Sequence, residues 1–295
     1  MKRTGFIVGF LAPAVLIYLA LVLVPLGQAL IFSAYQWRGV SAKRKFVGAD
    51  NFRELAGDHD FLRSVTNNLW LLVGAGVVII AVSLVVAHLT AAPGKSAKML
   101  RGFSLVPQMV SLVAVAVLWQ FIFNPEGLLN ATLRGAGLTS WTRTWLGDSH
   151  FALAGVGVAF AWSAVGFYAL LFGAGLRNIP AEVNEAAELD GSQGWNRFTQ
   201  ITWPMLWSVK RTAITYLVIN VMNTFALVFL MTRGGPDRAS DTMLTYLYEQ
   251  AFVNSKFGYA TAVAVGNFAV ARILSLAILF FLRRDPTSSQ NKASA

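Results

Sequence analysis

Apolar residues run on along this chain for long stretches that polar residues seldom interrupt. Six stretches stand out, at about 5–33, 67–90, 103–123, 151–175, 212–231 and 258–282, and none contains Asp or Glu. About 20 apolar residues in a helix cross roughly 30 Å of hydrocarbon, so each is long enough to span a bilayer. The expected fold class is all-α: a polytopic membrane protein with six transmembrane helices, forming a single domain over residues 1–295. The first stretch is long enough to tilt or to continue past the membrane. Its Met1-Lys2-Arg3 start resembles a signal peptide, but the apolar run exceeds the usual length of about 7–15 residues and no small-residue cleavage site follows. A retained helix is expected.

Composition agrees. Hydrophobic residues make up 56% and charged residues 13%, where a soluble domain carries roughly a quarter charged. The net charge of +10 rests on so few charged residues that it suits a membrane protein facing anionic lipid, not a nucleic-acid binder. Cysteine is absent, which excludes disulfides, thiolate metal sites and Cys nucleophiles. Lys and Arg divide almost evenly between the two sides. Counting the span ends favours a cytoplasmic N-terminus, because Lys2-Arg3, Lys210-Arg211 and Arg283-Arg284 then all lie inside. With Lys292 also inside, both termini are cytoplasmic, and the polar tail Thr287 to Ala295 is expected to be disordered.

Several chemistries fail on spacing. Gly94-Lys95-Ser96 lacks the glycine that a phosphate loop needs five residues earlier, where Leu89 stands. His59, His88 and His150 are too scattered to hold a metal. Ion-coupled carriers usually place acidic groups inside the membrane. With none in the six stretches, energy must come from another subunit or transport must run downhill. A permease subunit, a channel and a scaffold remain.

The segment 176–211 between the fourth and fifth spans is organised. Pro180 suits a first helical position, Glu182 and Glu185 lie in the early turns where the helix dipole favours anions, and Gly191 suits the left-handed residue that closes a helix. Val183, Ala186 and Ala187 stand at i, i+3 and i+4 and predict a narrow small-residue face that another protein could approach. Glu182, Glu185, Glu188 and Asp190 cluster there on an otherwise basic side. A second short helix is expected from Gln193 to Gln200, stopping before Pro204. A solvated polar loop and a docking site both fit this pattern.

Glu185-Ala186-Ala187, Asp190-Gly191, Phe198, Ile201 and Pro204 stand at the spacing of the cytoplasmic EAA loop of membrane subunits of binding-protein-dependent ABC importers, which this chain resembles. Further matches narrow the resemblance to carbohydrate importers of the maltose and glycerol-phosphate type. They are Phe46-Val47-Gly48 with Asn51-Phe52, Pro107, Trp119, Gly127, Asn130, Thr232, Gly234-Gly235-Pro236, Tyr248, Ala251-Phe252 and Phe257-Gly258-Tyr259-Ala260. Trp203 stands where the family usually has Leu. The resemblance implies that the loop is a coupling helix seated in a cleft of a separate ATPase, that Glu185 pairs with a basic residue there, and that Gly191 provides the bend. It implies a second homologous permease, two ATPase copies and an extracytoplasmic sugar-binding protein as partners. ATP and Mg would be held by the ATPase, with no cofactor and no metal bound by this chain. Location in the cell membrane and the lack of an enzyme active site in this chain follow from the same resemblance.

Sugar-lining groups should be hydrogen-bonding side chains and aromatic faces near the midplane. Asn220, Asn223 and Thr224 share a helical face, with polar contacts between helices as the competing reading. Trp162, Gly166 and Tyr168 in the fourth span and Gln108, Trp119 and Gln120 in the third are further candidates, for which packing or anchoring is the favoured reading. Arg272 lies 11 residues before Arg283, about 16 Å along a helix. As a buried charge it should face protein or water, at a cost of about 2.5–3.5 kcal/mol on insertion scales. Backbone carbonyls, cavity water or a polar group of the partner permease are expected to satisfy it. The alternatives to an importer subunit are a stand-alone ion-coupled or facilitative carrier and a membrane scaffold.

Overall fold

The computed structural model describes residues 3–41, 43–91 and 94–283 of the 295. Lys2, Arg284, Lys292 and the tail from Thr287 lie outside the described residues. The chain is helical almost throughout. Helix α1 (Arg3–Tyr18) passes through one wide turn (Leu19–Leu23) into α2 (Val24–Phe32). A small hairpin follows, β1 (Tyr35–Gln36) against β2 (Lys45–Phe46), with Tyr35 opposite Phe46. After it come α3 (Asp50–Gly57), α4 (His59–Ala91), α5 (Lys95–Met109), α6 (Leu112–Phe123), α7 (Leu128–Gly135) and α8 (Ala152–Arg177). The remaining helices are α9 (Ala181–Leu189), α10 (Gly194–Arg197), α11 (Trp203–Met205), α12 (Trp207–Met222), α13 (Ala226–Met231), α14 (Met243–Tyr248) and α15 (Phe257–Phe281).

Among the described residues five helical stretches are long and apolar enough to cross a membrane: Ile7–Phe32, His59–Ala91, Leu112–Gly135, Ala152–Arg177 and Phe257–Phe281. The second begins eight residues before the apolar stretch at 67, because Asp58 caps it: the Asp58 carboxylate accepts the Asp60 and Phe61 amides at 2.9 and 3.3 Å. The expected third span is two helices. Pro107 sits in the last turn of α5, the chain is extended at Val110 and Ser111, and Ser111 Oγ restarts the helix by accepting the Ala114 amide. The expected span at 212–231 is also two helices, broken between Met222 and Ala226.

The described chain packs as two compact units. One comprises residues up to Leu62 together with Met243–Val270. Here the hairpin, α3 and the start of α15 meet. Asn51 Nδ2 donates to the carbonyls of Ser33 and Tyr35 at 2.7 and 3.0 Å. Gly258 lies so close to the Tyr35 carbonyl that a Cβ would stand 1.8 Å from it, and the Gly258 amide donates to Trp37 O. The Arg44 guanidinium lies over the rings of Phe32 and Trp37, 4.9 and 4.3 Å from their centroids. Asp58 accepts the hydroxyls of both Tyr246 and Tyr259. Burial opposes ionisation of this carboxyl, but the two tyrosines and the two helix amides outweigh it and hold Asp58 below the usual carboxylate range.

The other unit spans Arg63–Thr242 and the residues from Ala271. Its core joins α6, α8 and α13 through Val115, Ala116, Phe123, Val156, Ala159, Leu227, Val228 and Met231. Helix α8 is its centre, because glycines let neighbours approach. At Gly166 a Cβ would lie 2.0 Å from the Ser104 carbonyl of α5, and at Gly157 it would touch Leu71 of α4. Polar side chains from elsewhere in the unit bond backbone carbonyls at the α12–α13 break and near the end of α13. Asn68 Nδ2 donates to Val221 O at 2.9 Å, Gln120 Nε2 to Leu230 O at 2.7 Å, and Thr242 Oγ1 to Thr224 O at 3.0 Å. A buried carbonyl left unsatisfied costs about 1–3 kcal/mol, so the Asn68 and Thr242 contacts help to stabilise the break.

Candidate functional site

Two regions in the second unit bring chemistry-bearing side chains together. The first is the segment 176–211. Pro180 is the residue before α9, extended at φ −57° and ψ 143°, so the first helical position passes to Ala181. The helix closes as its sequence suggests. Gly191 has φ +70° with nothing within 4 Å of a would-be Cβ, so only its backbone conformation demands glycine. The Gly191 amide returns to Glu188 O and the Ser192 amide to Ala187 O, a left-handed closure.

The expected small-residue face does not survive. Ala187 is 3% exposed and packs inward, Val183 is half-buried, and Ala186 points out. The outward stripe is Glu182, Glu185, Ala186 and Leu189, at i, i+3, i+4 and i+7. Leu189 is 90% exposed. The helical period that defined the wrong face could have picked it out. Glu188 is engaged within the chain: Arg197 donates to Glu188 Oε1 at 3.0 Å and to Asn184 Oδ1 at 2.8 Å, tying α10 to α9. Glu182, Glu185 and Asp190 have no ion-pair partner among the described residues.

Pro204 does not end the helical path. A wide turn over Phe198–Thr202 carries the Trp203 amide to Phe198 O, and Pro204 enters α11 at its start, where its missing amide is not needed. Rings line this corner. Trp195 stacks on Phe198 at 5.3 Å and Phe198 meets Trp203 at 6.0 Å, while Lys210 Nζ sits 4.0 Å from the Trp203 ring and 5.2 Å from the Trp207 ring. Lys210 is 6% exposed, and burial pulls its ammonium below the ordinary value.

The second region is the polar face of α12. Asn220 Nδ2 donates to Tyr216 O at 3.0 Å and Asn223 Nδ2 to Ile219 O at 2.8 Å. Each amide thus spends one of its two N–H donors on its own helix, which leaves the other N–H and the Oδ1 atom for a ligand. Tyr216 and Asn223 are exposed and Asn220 half-buried, so 216, 220 and 223 form one accessible strip. Tyr216 was not a sequence candidate, although its place four residues before Asn220 puts it on that face. Phe167 and Tyr168 of α8 stand behind it, with ring centroids 4.9 and 6.2 Å from Tyr216.

Three candidates leave the strip. Thr224 is buried, its hydroxyl donates to Asn220 O at 3.1 Å, and its carbonyl takes Thr242. Gly166 is a packing glycine under the α5 backbone. Trp162 is half-buried edge-on to Trp119 at 6.0 Å. Tyr168 is 2% exposed, with its hydroxyl buried beside Asn220 and without a hydrogen-bond partner. Of the third-span candidates, Gln120 serves the α13 backbone. Arg272 is not enclosed by its own chain. It is exposed on α15 and makes no hydrogen bond or ion pair among the described residues. Those residues include no cluster of three or more His, Asp or Glu able to hold a metal.

Five long apolar helices, with glycine-mediated packing around α8, place the chain in the class of polytopic membrane proteins. Residues 79–284 match the family described as "Binding-protein-dependent transport system inner membrane component". The diacetylchitobiose uptake system permease protein NgcF of Streptomyces coelicolor is 34% identical over 96% of this chain and 83% of its own. The probable ABC transporter permease protein YurN of Bacillus subtilis is also 34% identical, over 93% of this chain and 94% of its own. A crystal structure of a bacterial ABC transporter involved in the import of the acidic polysaccharide alginate contains a chain of the same fold, with a TM-score of 0.81 at 21% identity, covering 97% of both chains. The chain belongs to the family of binding-protein-dependent transport system inner membrane components. It is a permease subunit and not itself an enzyme.

Proposed function

We propose that this chain forms half of the translocation pathway of an ATP-driven sugar importer, and that residues 176–211 couple it to a separate ATPase that holds the ATP and Mg. In this reading the chain crosses the cell membrane six times with both termini in the cytoplasm. The additional crossing is the broken rod α12–α13. A second, homologous permease completes the pathway, and an extracytoplasmic binding protein delivers the sugar. The names of the relatives support the substrate class, since NgcF belongs to a diacetylchitobiose uptake system. The strip of Tyr216, Asn220 and Asn223 suits it chemically: an aromatic face for a sugar ring and free amide oxygens for hydroxyl donors. A helix interrupted beside its binding groups is a common way to build a site near the bilayer midplane.

The observation that carries the reading is the outward stripe of α9. Glu182, Glu185, Ala186 and Leu189 face away from their own unit, and a leucine left 90% exposed at a helix end is suited to fill an apolar pocket on another protein. Leu189→Asp in the assembled complex in proteoliposomes should leave membrane insertion intact. ATP-driven uptake should fall by about tenfold or more, the loss of one well-buried contact, and ATPase activity should no longer respond to loaded binding protein. Normal coupling in this variant would refute the assigned interface. Sugar uptake by the chain alone without ATP would favour a stand-alone carrier.

A further inference from the structure

Arg272 is the described feature that the permease reading leaves unused. It lies in the second half of α15, whose exposed residues form one long face: Phe268, Ile273, Leu276, Leu279 and Phe280, with Arg272 among them. Every other member of that face is content against lipid tails. A guanidinium is not, since it carries five donors, cannot be deprotonated, and lies about 14 Å before the helix end at Phe281, too deep to reach the headgroups comfortably. Nothing in its own chain accepts from it among the described residues. The face that would serve as an ordinary lipid surface with an apolar residue at 272 therefore has to be covered by protein.

The acceptor can be narrowed. A second copy of this chain brings no Asp or Glu within its six apolar stretches. At its α12–α13 break the carbonyls of Val221 and Thr224 are already taken by Asn68 and Thr242. What it could offer are neutral acceptors such as the amide oxygens of Asn220 and Asn223, which leave the charge uncompensated.

We infer that Arg272 pairs with a carboxylate on a membrane helix of the second, non-identical permease subunit, so that this one cation selects a heterodimer over a homodimer. The inference rests on the permease reading above. It assigns the exposed α15 face to the subunit interface, and it requires the partner to carry an Asp or Glu within an apolar span. That pairing would lower the cost of the charge for both subunits at once, and either left alone in the bilayer would be poorly stable.

The test uses the tagged chain co-expressed with its second permease and ATPase, measuring how much second permease co-purifies per tagged chain in mild detergent. Arg272→Leu makes the helix more apolar, so insertion should be at least as good as in the wild type. Recovered partner should fall by about tenfold or more, as for a broken buried charge pair, with Arg272→Gln close behind and Arg272→Lys retaining most of it. Replacing each intramembrane Asp or Glu of the partner by Asn or Gln should reproduce the loss at one position. Reversing both charges there, with Arg272→Glu, should restore recovery.

Full recovery of partner with Arg272→Leu overturns the inference, as does the lack of any partner carboxylate whose replacement reproduces the loss. Intact assembly with selective loss of anionic-solute uptake also overturns it and assigns Arg272 to the pathway. If the wild-type chain itself recovers neither permease nor ATPase, the permease reading fails before the charge pair is in question.

Discussion

At the residue scale the tightest polar construction is Asp58, which starts α4 and anchors two tyrosines of the later chain, Tyr246 and Tyr259. None of the sequence motifs pointed to it. The residue is an unremarkable acid between two helices, and the tyrosines that hold it lie nearly two hundred residues away, so no local pattern could join them. Phe257-Gly258-Tyr259-Ala260 and Asn51-Phe52 were legible as motifs, but their reason was not: Gly258 lets α15 meet the Tyr35 carbonyl and Tyr259 closes on Asp58. Because the Asp58 pKa is lowered by folding, its contribution to stability is full above the unfolded value near 3.8. It is lost as pH falls through the lower folded value. The double substitution Tyr246→Phe, Tyr259→Phe should destabilise the protein by about 1–2 kcal/mol at neutral pH, given what hydrogen bonds to a charged group contribute. It should also flatten the acid limb of a melting-temperature profile in detergent. An unchanged acid limb would show that Asp58 does not carry that dependence.

Elements were read well where one local signal sufficed and poorly where two helices shared a task. The closure of α9 at Gly191 was visible because a left-handed turn after a helical run is a local demand. The break at 223–225 was not, because Asn220, Asn223 and Thr224 bond their own helix and carbonyls beside the break are satisfied from α4 and the segment before α14. Gly166 shows the same limit: a sequence offers no way to tell a glycine that lines a path from one pressed against another backbone. The α5–α8 contact permits no Cβ there without separating the helices. Gly166→Ala should cost about 1–3 kcal/mol, the usual effect of overpacking. The expected readout is a lower melting temperature of the purified complex with unaltered affinity of the binding protein for sugar. A variant as stable as the wild type would contradict the close approach.

On the scale of the whole molecule, substitution in the accessible strip on α12 tests the proposed transport role apart from assembly. Asn223 is exposed beside Tyr216, and its Oδ1 is free for a solute. Asn223→Leu keeps the side chain's bulk while removing that acceptor, so it should lower ATP-driven uptake several-fold, by about 1 kcal/mol for one neutral hydrogen bond. The second permease and the ATPase should remain in the purified complex. Reduced uptake accompanied by loss of the partner would instead mark Asn223 as a contact between helices. This measurement complements Arg272, where the opposite pattern is expected.

Membrane residence, the number and order of apolar stretches, the absence of intramembrane carboxylates and the bend after α9 were fixed by the sequence alone. Each follows from composition or short-range spacing, which act on a helix before it has neighbours. Which face of α9 is presented, which asparagines remain open, which glycine is a contact and that the described residues of its own chain give Arg272 no partner were decided only by tertiary structure. These are questions of what lies across from a side chain, and in a bundle of nearly uniform apolar helices the answer depends on residues far apart in sequence that are brought opposite one another by packing.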